Sequence, residues 1–534
     1  MMKINKLSTE RSREIKDKYN LSNLAATVLA SKQCSDAEIE DILREPVLSN
    51  PFAAKNVKEV VERIQLARQR HEKVMVCGDY DCDGICATTI LVDALQKYGV
   101  QTGFYIPDRF KEGYGLNERI VELAHQKGYT LLITVDNGVK AHAALAKAKA
   151  LSMDVIVSDH HNMEEEVMCD ILLHPALMDD RFSTLCGAGV ALLVSRALIG
   201  NRKEHIVLAC VASIGDVMCV LKETRAIIKL GIQYLQEDVM LPIQLLQDRY
   251  ERWTLQRVAF QVVPKLNVAG RLADCANVNN IVRYLLCNNR LKMDVMVQQI
   301  NQLNTKRKQL TQHMLKKANK LIQPNDQFQY IMDEDFHEGL NGIVAGKLSE
   351  QLKQPVLVAS RHLNEYKGSI RSIDGVDLRT FFQEFSGLSA YGGHEKAAGI
   401  AFSEDVKDAL QDYINDKIKN VTIQSEKVYD VIPVKSKYLN TSEIESLSVL
   451  MPFGEGFQEP LFYFENEAVQ SAQLLKNEHS KWLLANGVTA LKFNSQAARE
   501  YLQNPCIHLI GTLEVSKFRG NKSIQMLVKE EFTQ

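Results

Sequence analysis

Three aspartates at alternate positions, Asp79, Asp81 and Asp83, stand in Gly78-Asp79-Tyr80-Asp81-Cys82-Asp83-Gly84, directly behind the apolar run Lys73–Cys77. Carboxylates this close repel one another, and a cation that neutralises them makes such a cluster tolerable. An EF-hand loop also opens D-x-D-x-D-G, but it requires a bidentate Glu at its twelfth position, where this chain has Ile90. A solvated acidic turn is the plain alternative for this stretch taken alone. Two further clusters follow: Asp136 in Thr134-Val135-Asp136-Asn137-Gly138, and Asp159-His160-His161 behind Val157-Ser158. A fourth acid, Asp216, interrupts the apolar run 206–221, and a buried carboxylate there needs a partner that a metal would supply. Singly, each has a structural reading, since an Asp at a strand tip often caps the next helix. Together they form a carboxylate–imidazole set that suits Mn²⁺ or Mg²⁺ better than a thiolate-bound metal. Two such ions activate water for in-line attack on phosphorus.

Residues so far apart in sequence meet only if the elements behind them end at one place. Short apolar runs at 74–77, 102–106, 131–135 and 155–157 read as strands, and 87–98, 118–127 and 141–150 as amphipathic helices between them. Strand and helix alternating at this spacing predict a parallel sheet covered by helices. Such sheets bind ligands at the carboxyl ends of their strands, so the acidic clusters should converge there. The chain divides into a helical N-terminal segment (1–70), this α/β domain (71–225), a helical connector (226–322), a smaller α/β domain (323–425) and a strand-rich segment (426–534). The segment from 294 to 322 carries Lys306, Arg307, Lys308, Lys316, Lys317 and Lys320. That charge run is either a solvated helix face or one turned toward nucleic acid.

Composition bounds the function. With 534 residues, three or four domains are expected at about 150 residues each. Sixty-four Lys and Arg against 66 Asp and Glu leave a net charge of −2, which excludes a globally basic binder but permits local basic grooves. The 11 cysteines are an odd number without a CxxC pair, as expected of reduced thiols in a cytosol. No apolar stretch follows the first residues as in a secretory signal, and no run is long enough to span a bilayer. A cytoplasmic protein with no membrane partner is the expectation.

With Asp159-His160-His161 and the acidic clusters before and after it, the chain resembles the DHH phosphoesterase superfamily. Within it, the chain is similar to the RecJ family of single-strand-specific 5′→3′ exonucleases over nearly its whole length. The resemblance is carried by Pro107-Asp108-Arg109 with Glu112-Gly113-Tyr114-Gly115, by Cys186-Gly187-Ala188-Gly189, and by Asn267-Val268-Ala269-Gly270-Arg271. It continues in His337-Glu338-Gly339, Gly368-Ser369-Ile370-Arg371-Ser372 and Tyr391-Gly392-Gly393-His394, which look like the associated DHHA1 domain. Pro452-Phe453-Gly454-Glu455-Gly456 and the strands through Arg519-Gly520-Asn521 resemble the family's OB-fold. The implied fold is an α/β parallel-sheet DHH domain, a long connecting helix, a DHHA1-like α/β domain and an OB-like β-barrel.

The resemblance implies that Asp81, Asp83, Asp136, His160 and Asp216 hold two ions, Mn²⁺ or Mg²⁺, with Asp136 between them. Many superfamily members have His where this chain has Cys77, which leaves Asp79 or water to complete the first shell. His161 would sit beside the scissile phosphate, and the products would be 5′-mononucleotides. Arg109, Arg271, Ser369 and Arg371 are candidates for a 5′-phosphate pocket, because guanidinium forks suit phosphate oxygens, and His394 would reach the same cleft. The barrel would offer strands and aromatics for stacking single-stranded bases. Implied partners are single-stranded DNA, a helicase and a single-strand-binding protein, with the chain acting as a monomer in repair and recombination. Two alternatives stand beside this: a DHH phosphodiesterase of short oligonucleotides or cyclic dinucleotides, and a non-catalytic replication scaffold. The barrel segment argues against the first and the retained acidic clusters against the second.

Overall fold

A computed structural model describes residues 2–362, 365–421, 427–499, 506–518 and 520–532. The expected boundary at 425/426 and Arg519 lie outside the described residues. The chain divides into two compact units. One comprises Met1–Leu48, Val217–Lys229 and Glu426–Gln534; the other comprises Ser49–Asp216 and Leu230–Ser425.

The first element corrects the expectation of a purely helical start. Met2–Lys6 (β1) is a strand that pairs in parallel with Lys427–Pro433. A five-residue strand has no local signal strong enough to announce a partner so distant in sequence. Helices follow from Ser12 to Leu43, the last opened by a capping box between Ser35 and Glu38.

In the larger unit, β2 (Lys73–Cys77), β3 (Gln101–Tyr105), β4 (Tyr129–Val135), β5 (Asp154–Ser158) and β6 (Ile171–Leu173) form one parallel sheet in the order β3-β2-β4-β5-β6. The short β6 is absent from the sequence reading. Register pairs Cys77 with Thr134 and Val135 with Ser158, so β2, β4 and β5 end level with one another. Val74, Val76, Leu131, Leu132 and Val157 are fully buried, as strands covered on both faces require. The helix after β2 runs Cys82–Tyr98, beginning earlier than periodicity suggests, because the Asp81 side chain accepts from the Asp83 and Gly84 amides and caps it. It packs against the helices Gly187–Ile199 and Lys203–Gly215.

The same unit continues into the helix Arg290–Leu321, capped by Asn289. A second sheet follows, with β7 (Gln329–Met332), β8 (Val356–His362), β9 (Glu365–Arg371), β10 (Leu388–His394) and β11 (Ala397–Ser403) in the order β10-β11-β9-β8-β7. Only β7 and β8 run parallel; the other pairs are antiparallel. Phe328, Leu357, Ile370, Phe381 and Phe402 anchor its separate core.

In the smaller unit, β12 (Lys427–Pro433) joins β1 to a barrel of β13 (Phe462–Leu475), β14 (His479–Leu484), β15 (Thr489–Lys492), β16 (Cys506–Phe518) and β17 (Asn521–Phe532). A β13–β16 pairing closes it, leaving no free edge between the five strands. Phe462, Phe464 and Trp482 are buried in this barrel, so they are core rather than stacking platforms; the exposed aromatics of this unit include Tyr438 and Phe493. The segment Val217–Lys229 belongs here, not with the α/β domain or the connector. Its buried Arg225 donates to the carbonyls of Ile42, Val220, Leu450, Met451 and Pro452. A guanidinium buried this way must be satisfied by several acceptors, and this set ties three stretches of chain together. Among the described residues no helix is long and apolar enough to cross a membrane.

Candidate metal centre and arginine cleft

The level ends of β2, β4 and β5 set three acidic loops at one edge. Asp83 lies in the first turn of the helix Cys82–Tyr98 and is turned away from its own helix. Its carboxylate accepts from the amides of Gly187 (2.6 Å) and Ala188 (2.7 Å), at the N-terminus of the helix Gly187–Ile199. The positive end of that helix helps hold the charge. Asp136, just past β4, takes a left-handed φ of 61°, which short polar side chains tolerate. Its amide donates to Ser158 O, and the Tyr114 hydroxyl donates to its carbonyl at 3.0 Å. Gly187 is obligatory at this contact, because a Cβ there would sit 2.5 Å from the Asp136 Cβ.

His160 Nε2 is the meeting point. It lies 3.1 Å from Asp136 Oδ1 and 3.6 Å from both Asp83 Oδ2 and Asp216 Oδ2. Asp216 ends the helix Lys203–Gly215 and reaches the cluster from that side. Three groups could each hold a cation: Asp136 with His160 and His161; Asp83 with His160 and Asp216; and Asp79 with Asp81 and Asp136. Burial, reinforced by neighbouring carboxylates, drives the Asp79, Asp81 and Asp136 carboxyls above their usual range and Asp216 to about 8. Burial also holds the His160 imidazole below its ordinary value, in the neutral form a ligand needs. Asp79 Oδ1 and Asp136 Oδ1 are buried without a hydrogen bond. Oxygen donors left unsatisfied in this way, beside a neutral imidazole nitrogen, fit a hard divalent cation.

His161 is held differently. Its Nδ1 lies 2.8 Å from Asp159 Oδ1, and the Tyr114 ring meets its ring edge-on. Burial pulls this imidazole down, but the bond and charge of Asp159 outweigh it and leave it raised. Asp159 in turn accepts from the amides of Val139, His160 and His161.

A cleft of about 300 Å³ in the same unit is lined by Arg109, Glu338, Asn341, Lys367, Ser369, Arg371 and the glycine-rich β10–β11 turn, with Lys367 paired to Glu338 at 3.3 Å. Arg371 Nη1 donates to Ser369 Oγ at 2.9 Å, and Arg109 lies over the Tyr80 ring. Arg271 is partly buried. Burial first, then the charges of Arg109, Arg307 and Arg371, lower it to about 10, so it stays cationic at neutral pH.

Comparison with known proteins completes the picture. Residues 73–214 match the DHH family N-terminal domain, 325–420 the DHHA1 domain and 432–530 the RecJ OB domain. The single-stranded-DNA-specific exonuclease RecJ of Bacillus subtilis is 29% identical over 98% of this chain and 69% of its own length. A crystal structure of exonuclease RecJ bound to manganese is 30% identical, with a TM-score of 0.62 over 69% of this chain and 96% of that one. The chain belongs to the RecJ family. RecJ from Thermus thermophilus, solved with Mn²⁺, superposes with a TM-score of 0.88 at 25% identity, covering 100% of this chain and 79% of that one. Its Mg²⁺ complex gives a TM-score of 0.81 at 24% identity, over 100% and 78%.

Against this RecJ frame, the structure gathers Asp79, Asp81, Asp83, Asp136, His160, His161 and Asp216 at one sheet edge. Arg109, Ser369 and Arg371 share the cleft, whereas Arg271 is not among its lining residues. His394 does not line the cleft. It is exposed at the tip of the β10–β11 hairpin, while Gly392 and Gly393 line the cleft instead. Cys77 lies in the apolar core beside Met75, Leu116 and Val121, and burial raises its thiol to about 12, so it offers no thiolate in place of the superfamily histidine. Sequence reasoning missed three supports. Tyr114 and Asp159 hold the metal-site edge, and Asn137 donates to the carbonyls of Cys77 and Val135, tying β2 to β4. All three lie within motifs quoted above, but none has a spacing that reveals its partner.

Proposed function

We propose that this chain is a divalent-metal-dependent exonuclease. It degrades single-stranded DNA from the 5′ end to 5′-mononucleotides, in DNA repair and recombination. The observation that carries the reading is the convergence of the acidic and histidine clusters in the same compact unit as an arginine-lined cleft. Asp81, Asp83, Asp136, His160 and Asp216 would hold two ions, Asp136 shared between them and Asp79 closing the first site. When bound, the ions supply water made nucleophilic at neutral pH and positive charge against that developing on the phosphoryl oxygens.

The chain's own residues do the rest. Asp159 keeps His161 oriented and favours its protonated form, which suits it to stabilise negative charge on the scissile phosphate. Arg109, Arg271, Ser369 and Arg371 bind the terminal 5′-phosphate and thereby set which phosphodiester lies at the metal centre. The barrel supplies a further surface for single-stranded DNA. A helicase that exposes single strands and a protein that covers them are the expected partners, and the enzyme acts as a cytoplasmic monomer.

End-labelled DNA and RNA strands, blocked at either end and incubated with Mn²⁺ or Mg²⁺, test the proposal. Mononucleotides should leave only a free 5′ end of DNA. Release from the 3′ end, or equal degradation of blunt duplex, would overturn it.

A further inference from the structure

The three-residue strand β6 has no counterpart in the sequence reading, yet it ends against the Asp159-His160-His161 loop. Its pairing with β5 runs to Ser158 and Leu173, and one step further the Asp159 amide donates to Leu173 O at 3.2 Å. The next residue, His174, leaves the strand and opens the turn Pro175–Leu177. Its imidazole is buried, and both ring nitrogens are engaged. The Ala176 amide donates to Nδ1 at 3.1 Å, and Nε2 lies 2.8 Å from His161 O. A backbone amide can only donate, so Nδ1 is the acceptor and the proton of the neutral ring sits on Nε2. A contact within the turn thereby fixes the tautomer, and the resulting Nε2–H donates to the His161 carbonyl.

His161 is thus held from both sides. Asp159 Oδ1 accepts from its amide and lies 2.8 Å from its Nδ1, while His174 holds its carbonyl. The peptide planes before and after His161 are both tied, and the direction of its side chain from the backbone follows from them. His174 stands outside the three ion-holding groups. Resting on the reading of His161 as the group beside the scissile phosphate, we propose that His174 is a positioning residue for the reaction, acting through the His161 carbonyl. The short strand β6 then has a use: it delivers one backbone acceptor to Asp159 and one side-chain donor to His161. A plain cap of the turn is the competing role, and the two roles use different nitrogens.

Substitution separates them. His174→Asn puts an acceptor at the Nδ1 position and keeps the cap, but its side chain is too short to reach His161 O. His174→Gln extends an amide N–H to the Nε2 position and gives up the cap. His174→Ala loses both. Turnover is measured on 5′-phosphorylated single strands at saturating Mn²⁺. The alanine and asparagine variants should lower kcat by about 10–100-fold, the range for a residue that orients a metal-site group, at an unchanged KM, and glutamine should recover most of the loss. Full activity in His174→Asn beside a loss in His174→Gln would reduce His174 to a cap and overturn the proposal. In a His161→Ala background a residue that acts through His161 has nothing left to orient, so adding His174→Ala should slow single turnovers no further; an undiminished second loss would overturn it. Wild-type turnover by His161→Ala alone would refute the role of His161 and this one with it, whereas a slow His161→Ala beside unaffected His174 variants would refute this one only. In metal-free protein carrying isotope-labelled histidine, the nuclear magnetic resonance signals that vanish in His174→Gln should be those of a neutral ring protonated at Nε2, and an Nδ1–H ring would overturn the geometry. Circular dichroism identifies the folded variants, and the glutamine and asparagine pair carries the test if the alanine variant unfolds.

Discussion

Asp136 is the residue on which the reaction should turn. It contributes to two of the three candidate ion-holding groups and sits in a left-handed conformation that alanine would resist but asparagine accepts. Asp136→Asn should therefore keep the fold while reducing hydrolysis by about three decades or more, since losing a shared carboxylate weakens both sites. Relief of carboxylate repulsion should also raise the melting temperature of the metal-free protein. Substantial turnover by a folded Asp136→Asn enzyme would exclude a shared carboxylate at this position. In the cleft, Arg371 Nη1 is anchored by Ser369 Oγ and Ile370 O, and the guanidinium lines the wall. Arg371→Ala should slow 5′-phosphorylated strands about one to two decades more than 5′-hydroxyl strands. Paired initial rates measure this; equal slowing of both would make Arg371 a general backbone contact.

At the scale of elements, the helix Gly187–Ile199 does two jobs at its first residue. Its amides hold Asp83, and the missing side chain at Gly187 lets Asp136 approach. Gly187→Ala should cost about 1–3 kcal/mol, the range for overpacking a close contact, and should remove most activity by displacing Asp136. A chemical denaturation curve with a metal titration separates the two losses; unchanged metal affinity would show that Asp136 had not moved. The barrel offers a complementary test. Trp482 is fully buried between its strands, and Trp482→Ala should destabilise that unit by about 3–5 kcal/mol. Hydrolysis of very short oligonucleotides should persist in this variant while binding of long strands falls. Loss of both to the same extent would mean that the barrel serves catalysis itself.

For the whole molecule, a net charge of −2 coexists with a cleft lined by Arg109, Lys367 and Arg371. Affinity for single strands should therefore fall steeply as salt rises, with a log–log slope of about −0.7 per phosphate neutralised. Titrations at several salt concentrations read the slope directly, and a flat response would place binding in stacking contacts alone. The two-unit organisation also shows that chain order is a poor guide to association. The first 48 residues and Val217–Lys229 fold with the C-terminal barrel, through the β1–β12 pairing and the Arg225 carbonyl contacts.

The sequence by itself determined the parallel sheet, through apolar runs of strand length alternating with amphipathic helices, and the chemical character of the site, through acids and imidazoles placed directly behind strands. Those signals are local: side-chain periodicity sets secondary structure, and residue type sets donor chemistry. Tertiary structure alone decided the rest. The role of Asp83 depends on amides a hundred residues away, and Cys77 is silent because its side of β2 faces the core. The stacking aromatics expected of the barrel include rings that its closure buries, and the N-terminal strand has no partner until the barrel exists. In each case the deciding quantity is a contact between segments remote in sequence, which neither spacing nor composition encodes.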